Sequence, residues 1–105
     1  MAKYMMVVTS SSKPGQEAAY GDWYDNVHIK DICKLNGVKS GKRLVASPEV
    51  SPNPPPGGQL AIYEIETDDV GKVLEEMTQR VMSGEFGMTD TIDAESAQIW
   101  FYQPA

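Results

Sequence analysis

Two stretches of this chain, Leu60–Glu66 (LAIYEIE) and Ala97–Gln103 (AQIWFYQ), are apolar on both sides of a strand. Side chains alternate across a strand, so Leu60 and Ile62 point one way and Ala61, Tyr63 and Ile65 the other. In the second stretch Ile99 and Phe101 oppose Trp100 and Tyr102 in the same way. A sheet built from such strands needs apolar cover on both faces. The chain has 105 residues, enough for one modest core in a single domain over 1–105.

The remaining elements show what cover is available. Tyr4–Thr9 (YMMVVT) is a short apolar, β-branched run and reads as a buried strand. SSSKPG follows, with Ser12 as an expected helix cap and Pro14 near the first turn. From Gln16 the period changes. Ala19, Trp23 and Val27 recur every four residues beside Tyr20, Tyr24 and His28, and Asp22, Asp25 and Asn26 fall outside that stripe. The helix fades over Ile29–Leu35, and Asn36-Gly37 supplies a turn. Val38–Ala46 is a second strand, with Val38, Ser40, Lys42 and Leu44 expected on one face.

SPEVSPNPPPGG then forbids a regular ladder, so residues 48–58 are expected to form a Pro/Gly-rich loop. After the third strand, TDDVGKVLEEMTQRVMSG is a helix capped by Thr67 or Asp68 and ended by Gly84. Its buried side carries Val70, Val73, Leu74, Met77 and Val81. Residues 84–96 read as a second irregular loop. The order is β-α-β-β-α-β, an α+β, ferredoxin-like fold with a four-stranded antiparallel sheet and both helices on one face. The other face is left apolar, and a second copy packed sheet to sheet, a homodimer, is the simplest cover.

Charge and cysteine usage exclude several functions. The formal net charge is −6, and the densest basic group, Lys30, Lys34, Lys39, Lys42 and Arg43, is interrupted by Asp31 and apolar residues. A phosphate backbone needs a clustered basic face, so no nucleic-acid partner is expected. Cys33 is alone, which rules out an internal disulfide, and one His with one Cys does not build a metal site without several carboxylates. The N-terminal apolar run is too short for a signal peptide or a membrane span, so no membrane partner and a cytoplasmic location are expected.

The segment YGDWYDNVHIKDICKLNGVKSGKRL resembles the part of EthD-like dimeric α/β-barrel proteins that runs Y-x-x-W-Y-x-x-H, an apolar residue, x-D, then G-V-x-x-x-x-R. Tyr20, Trp23, Tyr24, His28, Ile29, Asp31, Gly37, Val38 and Arg43 match in order, and Lys30 stands where many relatives carry proline. The resemblance implies sheets paired into a barrel, with a cleft between each sheet and its own first helix. In related barrels such clefts host cofactor-free cyclisation, oxygenation, isomerisation or lactone rearrangement of hydrophobic organic molecules; other relatives bind haem.

His28 is the only histidine, the one side chain here whose ordinary titration spans neutral pH. Two readings stand for it: an acid–base group on a cleft-lining helix, or a polar residue finishing that helix. Asp31, three residues on, either orients the imidazole or is a solvated capping carboxylate. Trp23 reads as core or as an aromatic wall, Tyr24 on the stripe's edge with Tyr20 beside it is the better ligand contact, and Tyr63, Trp100 and Tyr102 read as dimer core or pocket wall. Arg43 either receives a substrate oxygen or pairs with Glu64 or Glu66 across strands. Met82, Met88 and Phe86 form either a flexible lid or an ordered surface loop. The expected function is a small enzyme without cofactor, of lyase, isomerase or cyclase type, acting by proton transfer on an aromatic or hydrophobic small molecule. The alternatives are a non-catalytic binding or accessory protein and haem ligation through His28.

Overall fold

A computed structural model describes residues 2–47, 49–50 and 59–105. Four strands, β1 (Ala2–Ser12), β2 (Val38–Val45), β3 (Gln59–Thr67) and β4 (Ile92–Tyr102), form one antiparallel sheet in the order β2-β3-β1-β4. The first helix follows β1. It runs over Glu17–Trp23, widens into a π turn over Tyr24–His28 and resumes over Ile29–Ile32. The second helix, Val70–Met82, joins β3 to β4. This is the expected ferredoxin-like α+β order.

Register assigns the two faces. Toward the helices lie the rows Gly41–Tyr63–Met6–Phe101 and Arg43–Ala61–Val8–Ile99. Met6, Ala61, Tyr63 and Ile65 are buried there with Tyr20, Tyr24, Ile32, Val73 and Phe86. The opposite face carries Lys42–Ile62–Val7–Trp100 and Leu44–Leu60–Thr9–Gln98. Met5, Leu44, Trp100 and Tyr102 are exposed on it, and among the described residues no element covers them.

Several sequence expectations need correction. β1 continues through Ser12, so Ser12 caps no helix; Gln16 stands at that position. β4 begins at Ile92, five residues earlier than the apolar pattern indicates. Ser11 and Ser12 pair with Asp93 and Ile92 beyond a bulge, and Ser96 Oγ accepts from the Ser11 N–H at 2.8 Å. Backbone pairing and this side-chain bond hold a polar edge that alternation of apolar residues does not reveal. The irregular stretch is thus shorter than 84–96. The second helix is capped by Asp69, whose carboxylate accepts from the Lys72 N–H, and not by Thr67 or Asp68. Its Leu74 is exposed. The loop expected over 48–58 lies outside the described residues except for Glu49 and Val50.

A bulge between Val38 and Ser40 has wider consequences. Val38 pairs with Ile65 on the helix face, whereas Ser40 pairs with Glu64 on the open face, so the two do not share a side as alternation predicts. The extra residue leaves Gly41 and Arg43 facing the helices. Gly41 is where the Tyr63 ring rests: a Cβ there would lie 2.6 Å from Tyr63 Cδ1. Replacing Gly41 by Ala therefore has to displace a fully buried ring, at a cost of about 1–3 kcal/mol. Urea unfolding of Gly41→Ala measures this; a loss under about 0.5 kcal/mol, the usual range for a surface change, contradicts the tight seat.

Candidate functional site

The first helix stands off the sheet on an aromatic ladder. Tyr20, Trp23 and Tyr24 have mutual ring-centroid separations of 5.6 to 5.7 Å, near-parallel for Tyr20–Trp23 and edge-on for the other two pairs. His28 extends the ladder. Trp23 stacks on its imidazole at 4.6 Å and 22°, and Tyr24 meets it edge-on at 4.9 Å. Residues five apart point about 140° away from each other in an α-helix. The π turn, closed by the Ile29 N–H on Tyr24 O, is wider and brings Trp23 and His28 face to face.

Between this ladder, the second helix and the sheet is a cavity of about 290 Å³. Tyr20, Trp23, Tyr24 and His28 line it from the first helix, with Tyr63 and Met6 below and Met77 and Met82 opposite. A wider groove of about 540 Å³ sits where β1 begins and β4 ends, lined by Lys3, Met5, Glu64 and Tyr102. It holds surface side chains and a Lys3–Glu66 pair at 3.8 Å, without the buried polar atoms that mark the smaller cavity.

Those buried atoms set the site's chemistry. His28 Nδ1 is buried without a partner, and burial pushes the imidazole down to about 4, with the Asp31 charge opposing weakly. At neutral pH the ring is uncharged. The Tyr63 hydroxyl is also buried without a partner, beside the Tyr24 hydroxyl. Burial raises both phenols, Tyr24 to about 12, so each keeps its proton. Tyr20, raised by burial, shares a hydrogen bond with Ser10 Oγ. The arrangement can accept a proton at one ring nitrogen and donate hydrogen bonds from phenols nearby.

Arg43 and Asp31 serve other partners. Arg43 Nε and Nη2 donate to the two Asp25 oxygens at 2.9 Å each, and Nη1 donates to Gln59 Oε1 at 3.3 Å. The β2 bulge puts Arg43 on the helix face, away from Glu64 and Glu66, and it does not line the cavity. Asp31 is buried. It accepts from the Gly87 N–H at 3.0 Å and from Lys34 Nζ at 3.3 Å, and it makes no hydrogen bond with His28. Trp23 Nε1 donates to Gly87 O at 3.2 Å, so one loop residue is fastened twice to the helix turns around His28. A side chain at 87 would meet Val27 Cγ1 at 2.9 Å, which leaves that place to glycine.

Phe86 is buried in the core under the Arg80 guanidinium, while Met88 and Met82 are exposed at the cavity's rim. Cys33, its thiol raised by burial, does not line the cavity. Asp25 as Arg43's partner and Ser10 escaped the sequence reading, and Met77, read there only as a buried helix position, lines the cavity. The Asp25 fork had one available signal, an acidic residue on the helix edge facing a strand arginine.

No family profile matches this sequence, and no curated protein does. Solved structures do. A provisionally named monooxygenase from Shewanella loihica PV-4 superposes with a TM-score of 0.66 at 10% identity, over 99% of this chain and 95% of its own. An EthD family protein from Bacillus halodurans C-125 gives 0.58 at 15% identity over the whole of both chains. The fold is that of an EthD family protein. A Mycobacterium tuberculosis protein gives 0.57 at 13% identity, covering 99% of this chain and 96% of its own. Among the described residues no helix is long and apolar enough to cross a membrane, and no group of His, Cys, Asp and Glu can hold a metal ion.

The depressed imidazole fixes a pH dependence. An unfolded His28 binds a proton near 6.5 and the folded one only near 4, so acid favours the unfolded chain between those values. The stability lost on descending that window is on the order of 3 kcal/mol. Asp25, held below the usual carboxylate range by hydrogen bonding to Arg43, has the same sign but acts at lower pH. Urea unfolding across the window has a shallower pH slope for His28→Gln than for the wild type; equal slopes refute the buried neutral imidazole.

Proposed function

We propose that this protein is a small enzyme without cofactor that moves a proton on a hydrophobic small molecule bound in the 290 Å³ cavity. The carrying observation is the neutral, unpartnered imidazole of His28 in an apolar hollow. In this reading His28 takes a proton from carbon beside a carbonyl, and the developing enolate oxygen accepts hydrogen bonds from the Tyr24 or Tyr63 hydroxyl. Returning the proton to another atom of the same molecule completes an isomerisation; expelling a β-leaving group with it completes an elimination. Trp23 holds the imidazole plane by stacking, and Arg43 holds the helix through Asp25. The EthD-type fold and the monooxygenase name of one structural neighbour support an enzyme without specifying this reaction.

Replacing His28 by Ala lowers turnover by at least about a hundredfold in this reading. A loss below about tenfold with the fold intact removes His28 from the role. The acid limb of the kcat/KM profile falls near 4, where the imidazole charges, and not near 6.5. The same low basicity favours a second reading, a binding or accessory protein that holds a hydrophobic ligand unchanged. Ligand affinity with no product after long incubation identifies it. Haem ligation fits less well: the cavity lies at the lower end of ligand pockets of roughly 300–1,000 Å³, and a porphyrin exceeds a drug-sized ligand.

The open sheet face belongs to the same proposal. Trp100, Tyr102, Met5 and Leu44 spread over three of the four strands, β4, β1 and β2, and a two-fold copy placed face to face covers them. Trp100→Glu puts a charge at the middle of that contact and dissociates the dimer in sedimentation at micromolar concentration. A wild-type chain that sediments as a stable single subunit overturns the pairing.

A further inference from the structure

The cavity is uncharged. None of its lining residues is Asp, Glu, Lys or Arg, and Arg43 directs Nε, Nη1 and Nη2 to Asp25 and Gln59 outside it. A carboxylate entering there leaves water and finds no counter-ion, which is costly in an apolar surrounding. The unmet demand inside is for hydrogen bonding by a neutral group. Tyr63 is fully buried with its hydroxyl unpartnered, and the Tyr24 hydroxyl stands beside it. Both phenols stay protonated, so they donate to a ligand oxygen.

The walls add a preference for rings. Four of the chain's six methionines, Met6, Met77, Met82 and Met88, line this one cavity. Thioethers are polarizable, adapt to flat shapes and make favourable contacts with aromatic rings. Opposite them Trp23 and Tyr24 offer aromatic faces and edges. A volume of about 290 Å³ limits the occupant to a compact molecule.

We propose that the cavity selects neutral aromatic compounds of one or two rings bearing a phenol or ketone oxygen, received by the Tyr24 and Tyr63 hydroxyls, and rejects carboxylates. This rests on the reading of the cavity as the ligand site and names the class of ligand it takes. It does not depend on turnover.

Calorimetric titration of the full chain at neutral pH with α-naphthol, naphthalene and α-naphthoate tests it. These probes share one ring system and differ only in the polar group. Naphthol binds about tenfold more tightly than naphthalene, and naphthoate at least about tenfold more weakly than naphthol. Tyr63→Phe removes a hydroxyl that has no partner in the free protein, so it folds, and it brings naphthol to within about threefold of naphthalene while leaving naphthalene unchanged. Tyr24→Phe has the same direction. Naphthoate binding as tightly as naphthol overturns the proposal. So does a naphthol preference that survives both substitutions, and so does failure of all three probes to bind. Selective binding with no product from any neutral ketone refutes the catalytic reading and leaves this one standing. Turnover of a carboxylate substrate, with naphthol ignored, does the reverse.

Discussion

The grip of Arg43 on Asp25 sets where the first helix lies, and the cavity follows from that placement. The guanidinium rises from the helix face of β2 and takes both carboxylate oxygens in a planar fork. It also lies under Gly21, where a Cβ would come within 3.2 Å of Nη2. An exposed ion pair contributes little to stability, and this one is half open to solvent on the Asp25 side. Its consequence is geometric. The helix is tethered at one strand edge while Tyr20, Tyr24 and Tyr63 wedge it away from the sheet, and the space between remains unfilled. The bulge that turns Arg43 toward the helix is therefore as important to the site as any residue lining it.

Inside that space desolvation outweighs charge. Asp31 is the acidic neighbour that acts on His28, yet burial wins and the imidazole stays neutral. Asp31 makes no hydrogen bond with His28; its two oxygens are engaged by Gly87 and Lys34. The same burial keeps the phenols protonated. The site thus joins one neutral acceptor to two neutral donors.

The fold was largely legible because each long element carries one dominant period. YMMVVT, LAIYEIE and IWFY mark strands, and Val70 to Val81 marks the second helix. What escaped depends on partners distant in sequence. Ser96 closing the bulge at Ser11 is 85 residues away from it, and no local pattern in TIDAES announces a strand. The face of Arg43 turned on one extra residue in β2, since a bulge inverts alternation beyond it. His28, Tyr24 and Tyr20 meet in one cavity as their four-residue spacing suggests. Trp23 reaches His28 only because the helix widens, and Asp31 turned from an expected orienter of His28 into the anchor of Gly87.

That anchor ties loop and imidazole into one mechanical unit. Gly87 accepts from Trp23 and donates to Asp31, one residue group before and one after His28 on the same helical run. Phe86 next to it is buried in the core, and Met88 on its other side reaches the cavity rim. Displacing the loop breaks both hydrogen bonds together, uncovers the buried Asp31 carboxylate and frees the Trp23 ring that lies on the imidazole. Each of these changes raises the local polarity around His28. The burial that holds its basicity down is thus supplied in part by a loop remote in sequence, held to the helix by one hydrogen bond at Asp31 and one at Trp23.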